Sequence, residues 1–89
     1  MSTRVERIRE ALQRGLAPKQ LEIVDDSAAH IGHAGAAGGG HFRVRVVAEA
    51  FRGRTVLERH RMVYEAVSEL MGTDIHALNI VARTPDEEK

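Results

Sequence analysis

The chain of 89 residues contains no cysteine and no tryptophan. The missing cysteine excludes a disulfide framework, a thiol nucleophile and a self-contained thiolate metal site, so any thiolate must come from a partner. Aromatic residues are nearly absent, since Phe42, Phe51 and Tyr64 are the whole set. Three rings are too few for the stacking platform on which single-stranded nucleic acid is held. Neither sign of charge dominates, because 13 basic residues balance 13 acidic ones. No global field draws the protein to a polyanion, and nucleic-acid binding would need a local patch. No apolar run approaches the roughly 18 residues of a membrane span, and no secretory h-region is visible at the start. The expectation is a cytoplasmic protein without a membrane partner. Nor do paired carboxylates, a Ser-His-Asp order or an HExxH helix stand out, and no enzymatic activity is expected.

What is present is a chain sized for one domain, 1–89, with 43% hydrophobic and 29% charged residues. In "STRVERIREALQRGLAP", Val5, Ile8 and Leu12 recur at helical spacing. Thr3 with Glu6 forms a capping box there, and Gly15 with Pro18 stops the helix. "QLEIVDD" reads as a short strand with Leu21 and Ile23 on one face. "HFRVRVVAEAF" is the clearest strand, with Phe42, Val44 and Val46 alternating against Arg43 and Arg45. These two strands are expected to pair antiparallel across a loop of about a dozen residues, long for a hairpin. A turn at Arg52-Gly53-Arg54 leads to a helix capped by Thr55, with Val56, His60, Val63, Val67 and Leu70 along one stripe. "DIHALNIVART" is a third strand, which places His76 on the same face as Leu78 and Ile80. The polar "PDEEK", 84–89 with Thr84, is expected to fray. The order predicts an α+β fold, a small three-stranded sheet with helices packed on one face.

Three of the five histidines lie in or beside the glycine-rich "HIGHAGAAGGGHF". That stretch lacks the Gly-Lys-Ser/Thr ending of a phosphate loop, and its two G-x-x-G matches join strands rather than helices. Imidazole is the commonest side-chain metal ligand. His30 and His33 offer nitrogen donors from the loop, against the alternative that they are polar loop residues. His76, fixed by a strand, is the better-placed donor. His60 on the apolar stripe reads as a hydrogen-bonded core histidine, and His41 as an exposed or edge residue. Arg52, Arg54, Arg59 and Arg61 surround a helix start where phosphate or a protein partner would be held. The alternative is a solvated face with ion pairs such as Arg61 with Glu65.

The segment "FRGRTVLERHRMVYEAV" (51–67), preceded by "GGHFRVRVV" and followed by "IHALNI", resembles the BolA family. The resemblance runs from about Val5 to Thr84. Its most specific parts are F-x-G-x5-R-H-R, met by Phe51, Gly53, Arg59, His60 and Arg61, and the I/V-H-A-L segment at Ile75 to Leu78. The resemblance implies a class II KH-like topology, with a short helical turn that would break the segment from Thr55 to Arg61 into a helix-turn-helix. It implies pairing with a monothiol glutaredoxin and a shared [2Fe-2S] cluster, in iron-sulfur cluster maturation or iron and redox regulation. Glutaredoxin cysteine and glutathione would supply thiolates, and this chain imidazole. By that resemblance His76 is one ligand and His30 or His33 the other, in a loop that stays mobile until the cluster arrives. The isolated chain, a monomer or weak homodimer, is then expected to hold no cofactor. The alternative function is a transcriptional regulator binding DNA through the helix-turn-helix.

Overall fold

Alternating apolar residues on β2 (Gly40–Val47) organise the core. Phe42, Val44 and Val46 are at most 2% exposed, whereas Arg43 lies open to solvent. The computed structural model describes residues 3–27 and 39–88. In them α1 (Arg4–Leu16), β1 (Gln20–Asp25), β2, α2 (Val56–Ala66) and β3 (Ile75–Arg83) follow in order. The sheet order is β1-β2-β3, with β1 antiparallel and β3 parallel to the central strand. Parallel pairing requires a crossover, and α2 supplies it. Ile8, Leu12 and Leu16 of α1 and Val63 and Val67 at the end of α2 pack with the inner face of β2, with Ile75 and Ile80 of β3, and with Phe51. Both helices therefore cover one face, as the α+β reading expects. The other face presents Glu22, Val24, Arg43, Asn79 and Val81.

Several local expectations are corrected. The first helix ends at Leu16, between Gly15 and Pro18 as expected, but the left-handed cap is Ala17 (φ 46°), with its N–H bonded to the Gln13 carbonyl, rather than a glycine. Gly15 serves the packing instead. A Cβ there would stand 2.8 Å from the Ala66 Cβ, so the missing side chain lets α1 approach α2. The segment from Thr55 to Arg61 is unbroken, because Thr55 and Glu58 close a full capping box at the head of α2. The short helical turn lies earlier, at Glu49–Phe51, where it buries Phe51. Val56 and Leu57, at 69% and 60% exposure, take no part in the core. The apolar stripe of α2 becomes buried only from Val63 onward.

Within the described residues the tail makes contacts with the body of the fold. Pro85–Glu88 forms a 3₁₀ turn. Asp86 pairs with Arg52, Glu87 with Arg59, and Glu88 with Arg45 and Arg83. Four arginines thus hold three consecutive carboxylates, and Thr84 before them is buried.

Candidate functional site: an imidazole pair at the start of the third strand

The parallel register between β2 and β3 slips once, at their N-terminal ends. Gly40 stands opposite Ile75 and His41 opposite Ala77, leaving His76 as an extra residue in a bulge. Strict alternation would put His76 on the core face with Leu78 and Ile80. The bulge reverses that phase, so Ile75 is fully buried and His76 is exposed. This corrects the face assigned from sequence and makes the imidazole accessible. On β2, His41 shares the phase of Arg43 and Arg45, and its ring centre comes within 5.2 Å of the His76 ring at an interplanar angle of 50°.

Both histidines are held by well-connected backbone. Gly40 N–H donates to the Asp74 carbonyl at 3.0 Å, tying the strand starts together. The Arg7 guanidinium donates to both Asp74 carboxylate oxygens, at 2.8 and 3.1 Å, and holds that carboxyl below the usual range. His41 N–H donates to the Ser27 hydroxyl, and the Asp26 N–H donates to the His41 carbonyl at 2.7 Å. Ser27 N–H in turn donates to Asp25, and bonding to Ser27 keeps the Asp25 carboxyl low. Gly39, at φ 131°, lies so close to Thr73 that a Cβ would sit 2.8 Å from its carbonyl oxygen. A Cβ on Gly40 would collide with Ser27 and the Phe42 ring. These two glycines permit a close approach beside the histidines. His30 and His33, and residues 28–38 of the loop from Ala28 to Gly40 that is expected to be mobile, lie outside the described residues, whereas Gly40 at its end is already part of β2.

Next to the pair, a shallow groove of about 500 Å³ is lined by His41, His60, Tyr64, Asn79 and Asp26 among others. Here His60 is half-buried at the groove wall, not enclosed in the core as its place on the stripe suggested. Tyr64, one turn on, donates its hydroxyl to the Leu78 carbonyl at 3.2 Å, capping an edge-strand acceptor. Among the described residues no group of three His, Cys, Asp or Glu side chains is arranged to hold a metal ion. By themselves the two imidazoles are an incomplete donor set for a metal ion.

The arginine cluster is largely spent on the protein itself. Arg59, with a side chain only 12% exposed, donates to the Arg54 and Ala82 carbonyls and to both oxygens of Glu87. It is a brace rather than the surface residue expected. Arg52 chelates Glu49 and reaches Asp86. Arg54 lies 3.9 Å from Glu58. Arg61 is exposed and forms no ion pair with a described residue, and the anticipated pair with Glu65 is not made. Sequence reasoning missed two roles here. His41 pairs with a residue 35 positions away, for which no local signal exists; the Arg59 brace had a faint signal, the acidic run after β3.

Known proteins place these features in a family. The family model described as BolA-like protein matches residues 12–87. The Arabidopsis thaliana protein BOLA1, chloroplastic, is 43% identical over 91 residues, covering 98% of this chain and 57% of that protein. The Escherichia coli DNA-binding transcriptional regulator BolA is 40% identical over 82 residues, 92% of this chain and 76% of the relative. Among solved structures, the BolA domain of SufE1 from Arabidopsis thaliana superposes with a TM-score of 0.84 at 41% identity, covering 98% of both chains. The chain spans little more than half the length of several curated relatives that it matches. No helix of the described residues is long and apolar enough to cross a membrane. By the extent of the family match and the shared fold, the chain belongs to the BolA-like protein family.

Proposed function

We propose that this chain is an accessory protein that binds a cytoplasmic monothiol glutaredoxin and contributes imidazole to a [2Fe-2S] cluster held between them. The observation that carries the reading is the bulge that turns His76 out of the core and sets it beside a second imidazole. A cysteine-free chain with an exposed imidazole beside a half-buried one suits a division of labour in which glutaredoxin and glutathione bring the thiolates. Bound there, the cluster supplies electron-transfer chemistry or is itself the cargo. The chain's own part is to present an imidazole at a fixed place, which the Arg7–Asp74 contact and the Gly39–Gly40 approach secure. Whichever histidine of the pair His30 and His33 reaches the site would add to this set. A titration of cluster-loaded monothiol glutaredoxin with the chain tests the reading by visible absorption and circular dichroism. A new spectrum saturating at one equivalent is expected; a spectrum unchanged at excess chain contradicts it.

A second reading, nucleic-acid binding, is favoured by the exposed Arg61, which makes no ion pair among the described residues, and by the name of the Escherichia coli relative. Arg52 and Arg59 add little to it, since their forks already grip carboxylates. A gel shift with duplex DNA at rising salt decides. Binding lost in Arg61→Ala with a reduced salt slope supports it, and no binding at low salt removes it.

A further inference from the structure

We propose that the arginines around the 3₁₀ turn Pro85–Glu88 form a binding site for a compact oligophosphate group, which the turn's own carboxylates occupy until such an anion displaces them. Arg45 comes from β2, Arg52 from the turn before α2, Arg59 from α2 and Arg83 from the last position of β3. Cations from separate elements thus converge on Asp86, Glu87 and Glu88. A 3₁₀ helix completes a turn in three residues and rises only about 2 Å per residue. Three consecutive carboxylates therefore point to different sides of one small volume. The arginines gather around that volume rather than lying in a row, which suits an anion with charge on several sides, such as a di- or triphosphate, better than an extended backbone.

The contacts already made are of the kind that phosphate uses. Arg59 meets both oxygens of Glu87, at 2.7 and 3.1 Å, and the guanidinium fork accepts carboxylate and phosphate in the same two-pronged geometry. Its bonds to the Arg54 and Ala82 carbonyls do not involve the turn, so they keep Arg59 in place when the turn leaves. Arg52 is likewise held by both oxygens of Glu49 and gives one remaining nitrogen to Asp86. Arg45 and Arg83 reach Glu88 from neighbouring strands. The occupant is replaceable, because Arg52, Arg83 and Asp86 are at least half exposed and ion pairs between such side chains contribute little stability. An oligophosphate brings its charges on one small group, so it engages these arginines without ordering three separate acidic side chains.

The site is separate from the imidazoles. His76 stands at the start of β3 and Arg83 at its end, about 20 Å away along the strand. Oligophosphate binding uses no cluster ligand and needs no glutaredoxin, so either reading can fail without the other.

The test titrates the full chain with inorganic tripolyphosphate and, in a parallel arm, with ATP, read by calorimetry and by amide chemical shifts. Tripolyphosphate should move the signals of Asp86 to Glu88 together with those of Arg45, Arg52 and Arg83. The Asp86→Asn/Glu87→Gln/Glu88→Gln variant, freed of its competitor, should bind roughly tenfold tighter, the gain expected if the turn is seated in about nine molecules of ten. Asp86→Asn/Glu88→Gln, which leaves the Arg59–Glu87 pair intact, should show part of that gain. Glu10→Gln/Glu65→Gln/Glu69→Gln makes the same change in net charge in the groove between the helices, and should bind as wild type does. Adding Arg45→Gln and Arg83→Gln to the triple turn variant should remove its gain, with circular dichroism reporting the fold of each protein. Similar affinity for ATP assigns the site to nucleotide-borne phosphates, and binding of tripolyphosphate alone assigns it to the free anion; both agree with the proposal. Turn variants that bind no tighter than wild type or than the charge-matched variant overturn it, as does a gain that survives the loss of Arg45 and Arg83.

Discussion

Arg59 and Glu87 face each other as a two-pronged pair, with guanidinium nitrogens 2.7 and 3.1 Å from the two carboxylate oxygens, 28 residues apart in the chain. The same guanidinium also bonds the carbonyls of Arg54 and Ala82, linking the turn before α2, the end of β3 and the tail. A residue so placed acts on the fold. Arg59→Ala is expected to lower the thermal unfolding midpoint by roughly 4–8 °C, the shift that losing one part-buried hydrogen bond produces in a domain of this size. His60→Ala and Arg61→Ala, which remove a groove wall and a solvated cation, should each do less. A thermal scan by circular dichroism ranks the three, and the opposite order would count against the brace.

Glu87 couples that brace to pH. Hydrogen bonding from Arg59, aided by the Thr84 N–H, lowers its carboxyl to about 2, from an ordinary value of 4.5. A depressed folded value means that stabilisation is complete above the unfolded pKa and is lost as protons are taken up below it. The contribution should therefore be full at neutral pH and fade between about 4.5 and 2. Glu87→Gln should flatten the acid limb of the stability curve in that window. An unchanged slope below pH 4.5 in denaturant titrations would show that the pair contributes nothing.

Gly15 reports on the helix contact. Glycine to alanine inside a helix usually gains up to about 1 kcal/mol. Here the new Cβ would meet the Ala66 Cβ at 2.8 Å, and overpacking costs about 1–3 kcal/mol. Gly15→Ala should thus destabilise, and pairing it with Ala66→Gly should recover more than the sum of the two single changes predicts. Additive effects in this double-mutant cycle would place the helices further apart than described.

The approach at Gly39 is tested by Gly39→Ala. With φ at 131° and the Thr73 carbonyl where the methyl would go, the change should cost about 1–3 kcal/mol. It should also shift the amide signals of Ile75 to Ala77 in a heteronuclear spectrum. A variant as stable as wild type, with those signals in place, would show that the strand starts do not depend on this glycine.

Much of the fold was legible because its signals are local. The alternation of Phe42, Val44 and Val46, the Thr3 and Thr55 caps and the spacing of Ile8 and Leu12 each follow from backbone geometry over a few residues. What escaped depends on contacts between distant segments. Gly15 looked like a helix stop because nothing nearby in sequence reveals Ala66. His60 looked like a core residue because helical periodicity cannot tell where along α2 the sheet edge ends. For His76, the face was misread because a single-residue bulge inverts a period of two. His41 became part of the site only once the parallel register brought the two strand starts together. The tail looked free because its partners, Arg45, Arg52, Arg59 and Arg83, are scattered over three elements and a turn.

The central claim is that this chain contributes the His76 imidazole to a cluster shared with a monothiol glutaredoxin. The most direct measurement compares the visible absorption and circular dichroism of the mixed complex formed by wild type and by His76→Ala, with binding of the two proteins followed separately by calorimetry. The account predicts that the variant, exposed at that position and folded as wild type, still binds the glutaredoxin but loses the spectrum of the mixed pair. A His76→Ala complex with the wild-type spectrum would contradict it.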